Sequence, residues 1–216
     1  MLSIVKKQFL FLSILFAATV FMSSCKKETI ALKPNFIEQP KFYVEADLKG
    51  TPLNLYSGQN KFVAAPKIDE VNLMNLSIIS VYSSNITNGT DSFQVGFMDL
   101  QFPRILPVLP SKEALNKLLE NAQKPGKDAT LFSDYPGVTV RWSTSNAEYT
   151  SPGGDVQNGS NFHIIKVEDY TPPGADHAMK KVDVTFRCLM KNDNNEFDVF
   201  WLENGRATLL FDYKVQ

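Results

Sequence analysis

Histidine is scarce in this sequence, with two residues among 216. His163 and His177 have no histidine, cysteine or carboxylate at the i, i+4 spacing by which a helix presents metal ligands. Carboxylates occur near turns, at Asp155, at Glu168-Asp169 and in Asn192–Glu196, but without the Asp-x-Asp-x-Asp-Gly spacing of a calcium loop. We therefore predict solvated polar turns there and no metal site.

Cysteine is equally scarce, at positions 25 and 188. Cys188 lies in the same alternating apolar register as Val182 and Phe186. This register favours a small core residue over the nucleophile of a Cys–His pair.

Neither sign of charge is in excess, since 22 basic residues face 23 acidic ones. Proteins that bind nucleic acid usually carry a basic patch that matches the phosphate backbone. The composition therefore argues against a nucleic-acid partner.

Short catalytic motifs are also missing. The chain has no Gly-x-Ser-x-Gly, no phosphate-binding P-loop and no dinucleotide fingerprint. We accordingly predict no cofactor, and we favour a binding protein over an enzyme. A carboxylate pair that hydrolyses glycosidic bonds stays open, because its spacing is set in three dimensions.

The N-terminus has a short apolar run. Residues 9–22 are apolar apart from Ser13 and Thr19, and Lys6 and Lys7 precede them. A bilayer span needs about 20 apolar residues, so this run is too short to cross. A basic start, a short apolar core and small residues at its end are typical of a secretory signal.

The stretch Phe21-Met22-Ser23-Ser24-Cys25 resembles the lipobox of bacterial lipoproteins. The resemblance implies a signal peptide at 1–24, cleavage before Cys25 and acyl chains on that cysteine. Acyl chains would anchor the protein without a transmembrane helix, and Cys188 would have no disulfide partner. Lys26 after the cysteine resembles the residue of lipoproteins sent to the outer membrane, where the protein would face the periplasm or the cell surface.

A tether at 25–40, with Pro34 and Pro40, precedes the folded part. From position 41 the sequence alternates. Phe42, Val44 and Ala46 are separated by polar residues, which predicts a half-buried strand, and Lys49-Gly50 predicts a turn into a second strand.

A helix is predicted at 111–124. Leu115, Leu118 and Leu119 lie on one helical face, Ser111 is a suitable N-cap, and Pro125-Gly126 ends the segment.

Near the C-terminus, Phe197, Val199 and Trp201 alternate with polar residues and are predicted to face inward. Asn204-Gly205 follows them and is typical of a type I′ hairpin turn. The segments on either side are therefore predicted to be antiparallel neighbours.

Many short strands with turn signals between them predict an all-β fold, an antiparallel β-sandwich or jelly roll with one short crossover helix. We predict one domain at 41–216, with a split into 41–105 and 130–216 around the helix as the alternative.

The opening Phe42–Leu53 with Gly58-Gln59-Asn60, and the closing Val182–Met190 with Leu202–Gly205, resemble small Bacteroidota lipoproteins. The resemblance implies an all-β surface lipoprotein and supplies no catalytic residues.

Aromatic side chains near loop ends are the best sign of binding. Trp142, Tyr149 and Tyr170 are candidate ligand-binding residues, because exposed rings stack on the apolar faces of sugars; packing in the core or at its rim is the alternative. We predict a non-enzymatic, membrane-anchored lipoprotein that binds a glycan or serves as a surface or assembly component with a protein partner. The alternative is a surface hydrolase of polysaccharides.

Overall fold

The computed structural model describes residues 41–73, 77–101, 109–123, 137–152 and 157–215. The predicted signal peptide, Cys25 and the predicted tether lie outside these residues, as does Asp155.

Ten strands and one helix make up the described residues. In chain order they are β1 Tyr43–Leu48, β2 Thr51–Tyr56, β3 Val63–Leu73, β4 Ser77–Thr87, β5 Ser92–Gln101, α1 Lys112–Gln123, β6 Val138–Ser143, β7 Glu148–Thr150, β8 Asn161–Tyr170, β9 Met179–Asn192 and β10 Asn195–Phe211. The hydrogen-bonded path is β2-β1-β10-β9-β7-β6-β5-β4-β3, and β8 pairs with the other part of β9. Each of these pairings is antiparallel.

The path folds back so that its two halves pack face to face. Phe93 of β5 lies 5.9 Å from Phe186 of β9, and Phe97 of β5 lies 5.2 Å from Phe211 of β10, between ring centroids. The backbone N–H of Leu210 donates to the Ser84 hydroxyl of β4 at 2.8 Å. The fold is therefore an all-β sandwich, as predicted. We call β2-β1-β10-β9-β8 the front sheet.

Alternation in β9 produces the inner face of the front sheet. Val182, Val184, Phe186, Cys188 and Met190 are at most 2% exposed, and the residues between them face outward. This burial confirms the prediction for Cys188 and for its strand.

The predicted helix is present as α1. The Ser111 hydroxyl accepts a hydrogen bond from the Ala114 N–H at 3.1 Å, which confirms the N-cap. Leu115 and Leu119 are buried, so the predicted apolar face packs against the domain. Among the described residues, no helix combines the length and apolar character that a bilayer span requires.

The predicted hairpin at Asn204-Gly205 is wrong. The strand β10 continues through both residues, and it pairs there with β1 and β9. Asn204 has a φ of 52°, but Gly205 does not share the positive φ that a type I′ turn requires of both residues. The β9–β10 connection is instead the two residues Asp193 and Asn194, because Asn192 pairs with Asn195.

Asn204 lies in a β-bulge. Between the pairs Leu202–Cys188 and Gly205–Phe186, two residues of β10 stand opposite one residue of β9. An extra residue in one strand explains both the positive φ and the shift in register. Lys49-Gly50, the turn of the first predicted hairpin, does have positive φ at both central residues.

The bulge also shows that the prediction of which β10 side chains face inward is wrong. Phe197 is 88% and Val199 41% exposed, whereas Phe200 and Leu202 are buried. Side chains alternate with period two, so one extra residue moves the inward positions from odd to even numbers. Trp201, which is half-buried, belongs to the outer face with Phe197 and Val199.

Candidate functional site

Two of the three sequence-predicted binding residues come together. Trp142 and Tyr149 are cross-strand partners on β6 and β7, and their rings stack at 5.2 Å with an interplanar angle of 20°. The Tyr149 ring also meets the edge of Phe200 at 5.1 Å. Tyr149 is only 9% exposed, so its ring packs at the end of the core.

Asp198 ties this aromatic group to the β1–β2 turn. Its carboxylate accepts hydrogen bonds from the Lys49 ammonium at 2.5 Å, the Tyr149 hydroxyl at 2.8 Å and the Asn192 amide at 3.2 Å. These donors, Lys49 foremost, lower the pKa of Asp198 to about 2. Lys49 also lies 4.7 Å from the centroid of the Phe200 ring. The donors and the acceptor therefore satisfy one another.

Tyr170 lies elsewhere. It pairs with Met179 at the first residue of β9, whereas Tyr149 pairs with Asn192 at the last. The Tyr170 ring meets Phe42 at 5.3 Å and 75°. The three predicted residues consequently do not line one site, and their role in ligand binding stays a prediction.

His177 has two carboxylate partners, neither of which lies at the i, i+4 spacing considered in the sequence. His177 and Asp176 lie in the β8–β9 connection rather than in a strand, and the His177 Nδ1 and the Asp176 carboxylate share a hydrogen bond at 2.7 Å. The Nε2 atom shares a second at 2.7 Å with Asp212. These carboxylates, Asp212 first, raise the pKa of His177.

No three His, Cys, Asp or Glu side chains of the described residues are grouped so as to hold a metal ion. Glu168 is held by Lys166 and by Lys181, whose ammonium lies 2.9 Å away. The ammonium of Lys180 lies 2.7 Å from Asp169. The oxygens considered for calcium at Glu168-Asp169 are thus engaged by lysines.

Cys188 has no features of a nucleophile. It is fully buried, and burial raises the pKa of its thiol well above the usual range. A thiol that stays protonated is a poor nucleophile, so Cys188 belongs to the core.

The outer face of the front sheet has a feature that sequence reasoning missed. An open depression of 540 Å³ lies over the bulge of β10. It is lined by Asn161, Thr185, Phe186, Arg187, Asn204, Gly205 and Arg206. These residues come from β8, β9 and β10, and the outward side chains among them are hydrogen-bonding groups. We refer to this feature as the outer depression.

Arg187 is the most firmly positioned side chain of the outer depression. Its guanidinium lies 3.9 Å from the centroid of the Trp201 ring. One terminal nitrogen donates to the Gly159 carbonyl at 2.7 Å, and the other donates to the Glu203 carboxylate at 3.1 Å. A planar group stacked and bonded in this way has a fixed orientation, which lowers the entropic cost of binding a ligand.

Two further side chains of the rim are held by carboxylates. Arg206 lies 3.2 Å from Glu45, and the Asn204 amide donates to Asp47 at 2.6 Å. Glu45 in addition accepts from the Tyr56 hydroxyl at 2.7 Å. Three donor side chains that line the outer depression are therefore each paired with a neighbouring carboxylate. Sequence reasoning missed this group because it joins residues far apart in the chain.

The sequence and the fold were also compared with known proteins. No family model, curated protein or solved structure matches this chain.

Proposed function

We propose that the protein is a non-enzymatic lipoprotein of the outer membrane, anchored through acyl chains on Cys25, which binds a glycan in the outer depression. The anchor rests on the likeness of residues 21–25 to a lipobox. Its destination rests on Lys26.

The observation that carries the binding proposal is Arg187. The side chain is 35% exposed, yet its guanidinium is fixed by Trp201, Gly159 and Glu203. Sugars present hydroxyl groups that both donate and accept hydrogen bonds. A rim that offers guanidinium and amide donors beside carboxylate acceptors suits such a ligand.

Affinity electrophoresis tests the proposal. Soluble protein lacking residues 1–25 is run through native gels that contain amylopectin, laminarin, hydroxyethylcellulose or polygalacturonate. We expect at least one polysaccharide to retard the wild-type protein, and Arg187→Ala to abolish that retardation. Arg141→Ala is the matched control, because Arg141 pairs with Glu148 on the other half of the sandwich.

Thermal melts verify that both variants fold. Absence of retardation in all four gels would contradict glycan binding, as would an Arg187→Ala variant that migrates like the wild type. Release of reducing sugar from a retarding polysaccharide would instead support the hydrolase.

A further inference from the structure

The outer depression continues into a row of apolar side chains on the same strand. Phe197, Val199 and Trp201 occupy alternate positions of β10 and share its outer face. Alternate residues of an extended strand lie about 6.6 Å apart, and the pairing with β9 is irregular between Asn195 and Val199, so the row is at most about 13 Å long. We call these three residues the outer strip.

The outer strip meets the outer depression at Trp201. Arg187 lines the outer depression, and its guanidinium stacks on the indole ring of Trp201. Beyond Trp201 the bulge at Asn204 changes the parity of the strand, so that Arg206 is the outward residue on its other side. The bulge thereby joins an apolar half and a polar half into one surface along β10.

The exposure of the outer strip is unusual for its residue types. Phe197 is 88% exposed although the same strand buries Phe200 and Phe211. Exposed aromatic rings next to oriented polar groups mark binding surfaces, because rings supply contact area at low entropic cost.

The charges of the surface indicate the kind of ligand. Arg187 and Arg206 each face a carboxylate, Glu203 and Glu45, and Asp47 adds a third at the Asn204 amide. Two positive and three negative groups leave the rim without excess positive charge. These carboxylates would repel an anionic chain, whereas they can accept hydrogen bonds from the hydroxyl groups of a neutral one.

An added β-strand fits this surface less well. β10 lies between β1 and β9 in the front sheet, whereas an incoming strand adds to a free edge. The ring faces and the polar rim suit a chain of sugar rings better than a peptide backbone.

We propose that the site binds a neutral, linear glycan laid along β10, with some sugar rings on the outer strip and others in the outer depression. This inference rests on the proposed function, and it adds the length and the charge of the ligand. A disaccharide is too short to occupy both halves, whereas a hexasaccharide reaches from one to the other.

The test compares Phe197→Ala with the wild type by titration calorimetry. The probes are the disaccharide and the hexasaccharide of the retarding polymer: maltose and maltohexaose for amylopectin, laminaribiose and laminarihexaose for laminarin, or cellobiose and cellohexaose for hydroxyethylcellulose. We expect Phe197→Ala to weaken hexasaccharide binding about threefold to tenfold, as for the loss of one aromatic contact. Binding of the disaccharide should not change. Val63→Ala, which shortens a 56% exposed side chain on β3, is the matched control.

The outcomes separate the two proposals. If Arg187→Ala abolishes retardation but Phe197→Ala binds the hexasaccharide like the wild type, glycan binding stands and the extended site is overturned. If Phe197→Ala weakens binding of the disaccharide as much as binding of the hexasaccharide, the extended site is overturned as well. Tighter binding of polygalacturonate than of the neutral polymers overturns the neutral ligand. If no polysaccharide retards the wild type, the proposed function fails and this inference fails with it.

Discussion

Gly205 of β10 lies directly opposite Phe186 of β9, and the aromatic ring occupies the space that a side chain at 205 would need. A Cβ atom there would lie 2.5 Å from Phe186 Cε2 and 2.6 Å from the Phe186 carbonyl oxygen. Both distances are shorter than a real Cβ contact allows. The glycine is thus required by close packing across the strands, and not by a turn.

Gly205→Ala should therefore destabilise the protein by about 1–3 kcal/mol, since overpacking forces side chains and backbone to shift. Urea unfolding measures the loss. The Phe186 ring accounts for part of the clash and the Phe186 carbonyl oxygen for the rest. Phe186→Leu removes the ring, so this substitution should cost less stability in the Gly205→Ala background than in the wild type. Additive losses in the double mutant would rule out the proposed contact.

Asn204 offers a contrasting control next to Gly205. Its φ of 52° suits glycine as well as asparagine, so Asn204→Gly should keep the bulge and lose the 2.6 Å bond to Asp47. We expect a small change in stability, well below that of Gly205→Ala. A larger loss at 204 than at 205 would contradict this assignment.

The His177 pair with Asp212 predicts a pH dependence of stability. Folding raises the pKa of His177, first through Asp212 and then through Asp176. The protonated ring thus stabilises the fold fully below its unfolded pKa of about 6.5, and this stabilisation is lost as pH rises through the raised value. His177→Gln should lower the melting temperature by a few degrees at pH 6 and by less at pH 9. His163→Gln is the control for the loss of an imidazole. A melting-temperature difference between His177→Gln and the wild type that does not change with pH would exclude this contribution of His177.

For Asp198 we predict the opposite pH dependence of stability. Lys49, Tyr149 and Asn192 lower its pKa to about 2, so its contribution is present above the ordinary value of 3.8 and is lost as pH falls toward 2. Asp198→Asn should be less stable than the wild type at pH 7, with the difference shrinking between pH 4 and pH 2. Melting curves at these pH values measure it. Asp193→Asn, at the exposed end of the same hairpin, is the control; a difference that grows on acidification would refute the assignment.

Cys25→Ser tests the anchor. Without the thiol the precursor should stay unprocessed or the protein should be soluble, because no acyl chain can be attached. Membrane fractionation and metabolic labelling with palmitate give the result. Cys188→Ser should leave both readouts unchanged, since that thiol is buried. Continued palmitate labelling of Cys25→Ser would disprove acylation at this cysteine.

Much of the fold was predictable because it depends on local periodicity. The alternation in β9 and the spacing of Leu115 and Leu119 each report a single face of a single element. The Lys49-Gly50 turn was equally local. The candidate site was not predictable, because Arg187 and Trp201 come together only when β9 and β10 pair.

The sequence by itself determined the strand and helix periods, the capped start of α1 and the resemblance to a lipobox, since each resides in a few consecutive residues. The tertiary structure alone decided the faces of β10. Residues 195–211 alternate as if they formed two strands around a turn, but pairing on both sides keeps β10 continuous and absorbs Asn204 as a bulge. A single extra residue reverses inside and outside over the first half of β10. That reversal, which no local pattern records, places Phe197 and Trp201 on the surface beside Arg187.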